Sequence, residues 1–149
     1  MKKALKSISI CFIVAAMLTG GTFALAPVKP DQPQASEYIF KTTTAAGALD
    51  DGYIEFDFTI TATRPMKDVG ALEVQIYKVG NSSPVWSHYY TDPGYGYFMG
   101  HNRTSYTFDV TYHGDIGSKY YANVTFYAGE NGVAGDLYIM GTSYVTARK

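Results

Sequence analysis

Ile54-Glu55-Phe56-Asp57-Phe58-Thr59-Ile60-Thr61-Ala62 alternates apolar and polar side chains without a fault. A period of two places every second side chain on one face of an extended strand, so this segment has one buried face and one wet face. Asp50-Asp51-Gly52, directly before it, is a turn signal and predicts a hairpin with Glu37–Thr44. Further along, Leu72, Val74 and Ile76 alternate with Glu73, Gln75 and Tyr77, and Gly80-Asn81-Ser82-Ser83-Pro84 then turns the chain. Val85–Thr91 reads as a strand bearing tryptophan and tyrosine. Tyr106, Phe108, Val110 and Tyr112 alternate with Thr107, Asp109 and Thr111, and Tyr120–Ala128 repeats the pattern. A last strand covers Leu137–Thr146, interrupted by Gly141, where a bulge is expected. Seven short strands punctuated by Gly, Asn, Asp and Pro, with no helical period between them, predict an all-β fold: an antiparallel sandwich or barrel.

Composition agrees with a folded domain. The chain has 149 residues, 46% hydrophobic, 15% aromatic and 17% charged, with 14 tyrosines and one cysteine. That length suits one domain. A disordered chain would be poor in aromatics and strongly charged, and a disulfide scaffold would need several cysteines. The formal charge of −1 offers no footprint for nucleic acid.

The first residues read as a transport label. Lys2, Lys3 and Lys6 precede the apolar run Ile8–Leu18 and the small residues Gly20-Gly21-Thr22, the layout of a helical secretory signal peptide. The run is shorter than the ~18–20 residues a membrane span needs. Cleavage is expected after Ala24 or Ala26; Pro27 disfavours the second. Without residues 1–26 the chain keeps 123 residues, Cys11 is gone, and losing Lys2, Lys3 and Lys6 takes the formal charge from −1 to −4. Residues 27–36 hold Pro27, Pro30 and Pro33 and read as a flexible leader, leaving 37–149 as the domain. No apolar tail follows Ala147-Arg148-Lys149, so a released, extracellular protein is expected, with no membrane partner after cleavage.

Two resemblances add to this reading. Gly114-Asp115-Ile116-Gly117-Ser118-Lys119-Tyr120-Tyr121-Ala122-Asn123-Val124 resembles the loop-into-strand region of immunoglobulin-like and fibronectin-like sandwiches, in which a tyrosine bonds its hydroxyl back to the preceding loop. Tyr120 shares the inward parity of Ala122 and Val124 and is the candidate; the plain alternative is a large core residue. The Cys-Trp-Cys pattern of antibody domains is absent, so this resemblance is to the architecture. The phrases Thr61–Ala71, Tyr95–Asn102 and Lys119–Ala128 together are similar to a family of short secreted β-proteins of Gram-positive bacteria whose function is unassigned. That likeness implies secretion, a bacterial source and a lone domain, and brings no catalytic residue with it.

Chemistry-bearing patterns are sparse. There is no Gly-x-Ser-x-Gly elbow, and His88, His101 and His113 lie in separate segments without a flanking signature, so each reads as a surface or loop histidine. No His or Cys spacing suits a metal, and neither metal nor cofactor is expected. Glu55 and Asp57 belong to the wet face of a strand, while Gly129–Asp136 reads as a hairpin loop. Asn81, Asn102 and Asn123 match the glycosylation triplet, which a Ser- and Thr-rich chain also yields by chance.

The most informative stretch is Trp86–Asn102, W-S-H-Y-Y-T-D-P-G-Y-G-Y-F-M-G-H-N. Asp92-Pro93-Gly94 is a turn, and Tyr95, Tyr97 and Phe98 follow in a glycine-rich loop. Aromatic rings offer large contact area with a polar handle at low entropic cost, which suits a binding surface. Trp86, Tyr90, Tyr95, Tyr97 and Phe98 are therefore candidate stacking residues, with Asp92, His101 and Asn102 as hydrogen-bonding partners. The alternative is that these rings cap an open end of the fold. The expected function is a secreted, non-catalytic module binding an extracellular glycan or protein. A structural or self-associating protein is the second reading, and a small hydrolase the third.

Overall fold

The alternation at Ile54–Ala62 opens the longest element of the molecule. The computed structural model describes residues 36–130 and 135–149. The expected signal peptide and residues 27–35 of the leader lie outside them. The strands are β1 (Ile39–Ala48), β2 (Tyr53–Lys78), β3 (Trp86–Tyr89), β4 (Met99–His113), β5 (Lys119–Gly129), β6 (Asp136–Gly141) and β7 (Val145–Thr146). Every pairing is antiparallel and all seven strands belong to one sheet. The hairpin expected at Asp50-Asp51-Gly52 forms between β1 and β2. Asp51 (φ 57°) and Gly52 (φ 81°) are both left-handed, the type I′ geometry whose twist matches the flanking strands.

The strand boundaries differ from the sequence expectation in two places. Ile54–Ala62 and Leu72–Tyr77, expected as two strands, are halves of the 26-residue β2. The chain bends where they join. Thr61 pairs with Ser105 and Met66 with Arg103, so four residues of β2 face the single Thr104. Pro65, which has no N–H to donate, falls in this interruption, and Asn102 on the partner strand is left-handed at φ 54°. The expected final strand Leu137–Thr146 is instead two pieces, β6 and β7, broken after Gly141.

Because of this interruption the two halves of β2 have different neighbours. Its first half lies between β1 and β4; its second half pairs with β5 on one side and with β3 and the start of β4 on the other. The sheet curls into a half-barrel around Ile54, Phe56, Phe58 and Ile60 from the first half and Val74, Ile76, Val124 and Phe126 from the second, all fully buried. Each such side chain contributes about 1.5–3 kcal/mol of transfer free energy. One side is drawn together without a backbone ladder. Ser36 Oγ and the Tyr38 N–H (2.6 Å) donate to Asp136 Oδ2, the Thr42 hydroxyl reaches Met140 Sδ, and Thr44 Oγ1 donates to the Gly141 carbonyl at 3.0 Å. β1 and β6 thus run side by side, laced by side chains.

The carboxylate of Asp136 latches this seam. Burial pushes its pKa up, but the hydrogen bonds from Ser36 and the amides of Tyr38, Ile39 and Glu37 outweigh burial and hold it below the usual range. A depressed native value gives stability that is present above the unfolded pKa, about 3.9, and lost as pH falls through the native one. The difference in unfolding midpoint between the wild type and Asp136→Asn is therefore expected at neutral pH and shrinks as acid protonates the native carboxylate. A difference that persists or grows in acid would contradict the latch.

Tyr120 stands at the start of β5, and its hydroxyl accepts the Asp115 N–H at 2.8 Å while its ring is buried. Asp115 is also held by Lys78 Nζ at 2.8 Å. Tyr120→Phe leaves the ring in place and the amide without its acceptor, an expected loss of about 1–3 kcal/mol in urea unfolding. Tyr53→Phe, at an exposed ring, serves as the near-neutral control.

Candidate functional site

Trp86 and His88 sit two residues apart on β3, opposite Ile76 and Val74, so both side chains point to the inner face of the sheet at its open side. The loop that follows folds back over them. Asp92 fixes its first turn: the carboxylate accepts the Tyr89 N–H at 2.9 Å and lies 3.1 Å from His88 Nδ1. Those contacts, the Tyr89 amide first and His88 second, hold the Asp92 carboxyl below the usual range against the opposing effect of burial. The Tyr95 ring then stacks on His88 at 3.8 Å with 10° between planes, and Trp86 meets both rings edge-on, at 4.8 Å to His88 and 5.6 Å to Tyr95.

A 3-10 turn, Gly96–Phe98, delivers the next two rings in opposite directions. Phe98 is fully buried and lies 5.2 Å from Phe108, which lies 5.2 Å from Phe58 in the centre of the core. Phe98 is therefore an anchor, not a contact residue for a ligand. Tyr97 keeps 44% of its surface in water. Its backbone carbonyl accepts the Tyr106 hydroxyl at 2.6 Å, and its phenol is pushed up by burial first, then by Tyr95 and the nearby Asp109. Rings thus form a continuous chain from Phe126 at the core to Tyr97 at the surface.

The structure brings Trp86, Tyr95, Tyr97 and Phe98 into one ring cluster, with Asp92 joined through His88. Tyr90, His101 and Asn102 stand outside it among the described residues. The Tyr90 amide donates to the Leu72 carbonyl at 3.0 Å and its ring is exposed. His101 Nδ1 lies 2.7 Å from Asp68 Oδ1, and Asn102 belongs to the bend of β4. His88 is the residue sequence reasoning missed. Its signal was the Trp86-x-His88 alternation, which puts both rings on one face, with Asp92 four residues on. A second cluster also went unread: Tyr77 donates to Gln75 (2.7 Å), Gln75 to Glu73 (2.7 Å), and Tyr77 stacks on Tyr121 at 5.2 Å on the outer face of β2 and β5.

Asp57 is exposed on the outer face of the sheet and lies directly opposite Asp109. Among the described residues no three His, Cys, Asp or Glu side chains converge in a way that could hold a metal ion, and no helix is long and apolar enough to cross a membrane. No protein-family model matches the chain, and no curated protein sequence matches it.

Proposed function

We propose that this protein is a secreted, non-catalytic binding module whose ligand, an extracellular glycan or protein, docks on the rim of the Trp86–Phe98 loop. The observation that carries this reading is Tyr97, half in water and held on a turn whose next residue, Phe98, is locked in the core. A rigid, amphipathic ring on a fixed backbone loses little entropy on binding. Trp86, His88 and Tyr95 support it from behind. Neither histidine–aspartate pair figures as a catalytic base here; each braces the loop, one at either end. The immunoglobulin-like sandwich, the signal peptide and the bacterial source belong to the same proposal. Support for the first is the Tyr120 hydroxyl on the Asp115 amide, and for the second the Lys2–Leu18 pattern.

Self-association is a second reading with its own observation. Phe40, Leu137 and Ile139, 73%, 60% and 63% exposed, lie on β1 and β6, the two strands of the seam. Exposed apolar side chains gathered on neighbouring strands favour association between chains. The two readings separate on an array of glycans and extracellular proteins probed with wild type and Tyr97→Ala. Retention by at least one ligand, weakened about tenfold by the variant, is expected for a loop that binds. Equal retention of both proteins by every ligand overturns it, and sedimentation as a concentration-dependent oligomer supports the second.

A further inference from the structure

The open strand edges of this sheet are not equivalent. β1 and β6 face each other across the laced seam, β3 has four residues and β7 two. β4 differs from all of these. Among the described residues it pairs with β2 alone, and from Ser105 opposite Thr61 to His113 opposite Tyr53 the register runs without a shift. Ser105–His113 contains no proline, lysine or glycine. Of the devices that normally blunt an edge, lysine, proline and a bulge are missing here, and Asp109 is the one carboxylate. Every second residue of such a strand turns its N–H and C=O away from its one partner, which leaves a row of donors and acceptors facing water.

Around Asp109 the charge beside this edge is acidic; the nearest cation of β4, Arg103, lies over the Tyr106 ring at 5.2 Å, at the far end of the segment. Asp109 lies opposite Asp57, and Glu55 is the next residue of β2 on that face, opposite Thr111. Like charges directly opposite one another destabilise a sheet. Facing the other way, Tyr106 and Tyr112 are half-buried and flank the buried Phe108 and Val110.

We propose that the edge Ser105–His113 accepts an added strand: an extended peptide with lysine or arginine at alternate positions and apolar residues between them. Main-chain hydrogen bonds to β4 give it affinity and alternate side chains give it selectivity, the mode of β-strand addition. Its cationic side chains lie beside Asp109 and relieve the repulsion with Asp57; its apolar ones lie against Tyr106 and Tyr112. A second copy of this chain is the poorer occupant, because Ser105–His113 offers no lysine or arginine and two-fold pairing brings two acidic groups together.

The test titrates the full chain with acetyl-Val-Lys-Val-Lys-Val-Lys-Val-amide and follows backbone amide exchange together with the dissociation constant. Slowed exchange confined to Ser105–His113 is expected, with affinity about tenfold weaker for the analogue with Glu in place of Lys and for one N-methylated at alternate residues. Asp109→Asn weakens binding of the lysine peptide and lessens its sensitivity to salt, while Phe40→Ala, on the far strand β1, leaves it unchanged. Both variants alter exposed side chains, and an unchanged unfolding midpoint verifies that each is folded. Equal binding of the glutamate or N-methylated peptide, or no slowing in β4, overturns the proposal. Slowing of β4 exchange by concentration alone, with a dimer in sedimentation, overturns it in favour of a second copy.

Discussion

Replacing Phe58 by alanine is expected to cost about 3–5 kcal/mol, the range for truncating a fully buried phenylalanine. Phe58 lies on the first half of β2, 5.2 Å from Phe108 on β4 and 6.5 Å edge-on from Phe126 on β5. It is thus the ring through which the two halves of the bent strand meet. Paired aromatics add about 0.5–1.5 kcal/mol beyond their buried area, and the flanking Phe56 and Ile60 cannot close the space without leaving their own positions. Domains of this kind have only about 5–15 kcal/mol in total, so the variant forfeits a large share. Urea unfolding measures it. Phe40→Ala, at a ring 73% exposed, is the contrast and is expected to stay within about 0.5 kcal/mol of wild type. Comparable losses at Phe40 and Phe58 would mean that the core does not lie between the halves of β2.

The second large effect is expected at Gly70, where β2 passes under the aromatic loop. A Cβ there would lie 2.1 Å from the Phe98 carbonyl oxygen and 2.8 Å from Met99 Cα. Both are backbone atoms, so no side chain can rotate away, and Gly70 and Met99 are paired in the sheet. Gly70→Ala is expected to destabilise by about 1–3 kcal/mol or more through overpacking. Moving Phe98 also disturbs the stack above it, so the emission of Trp86, the sole tryptophan, should shift to the red in the folded variant. Gly47→Ala is the control, since a Cβ at Gly47 meets nothing within 4 Å. A Gly70→Ala protein with wild-type stability and emission would show that the loop does not sit on β2 as described.

Strands with clean alternation were legible from the sequence because their pattern is local. β5 shows it best: Tyr120, Ala122, Val124, Phe126 and Ala128 are all buried as the period of two requires. The Asp50-Asp51-Gly52 turn was legible for the same reason, its left-handed residues being the ones such a turn favours. Continuity of β2 was not. Thr63-Arg64-Pro65 reads locally as a break, and only the bulge opposite Thr104 lets the strand run through a proline. The seam of β1 and β6 joins residues about a hundred positions apart through side chains, and no periodicity announces such a contact.

The aromatic stretch was found by composition, but its internal division was not visible there. Tyr97 and Phe98 are adjacent in sequence, and the 3-10 turn sends one outward and the other into the core. That divergence depends on the close passage over Gly70, a tertiary fact. His88 was undervalued because a histidine between polar residues looks like a surface group. Its stacking on Tyr95 appears only when the turn at Asp92 brings the loop back over β3.

Binding at the loop is tested most directly by Trp86 fluorescence, because the single tryptophan touches His88, Tyr95 and Phe98 and so reports from within the site. The wild-type protein is titrated with the soluble form of each ligand retained on the array, in parallel with a Tyr97→Ala protein of unchanged unfolding midpoint. The account predicts a saturable change in emission for the wild type and a midpoint about tenfold higher for the variant. Saturable binding that leaves Trp86 unperturbed, or identical midpoints for the two proteins, would contradict it.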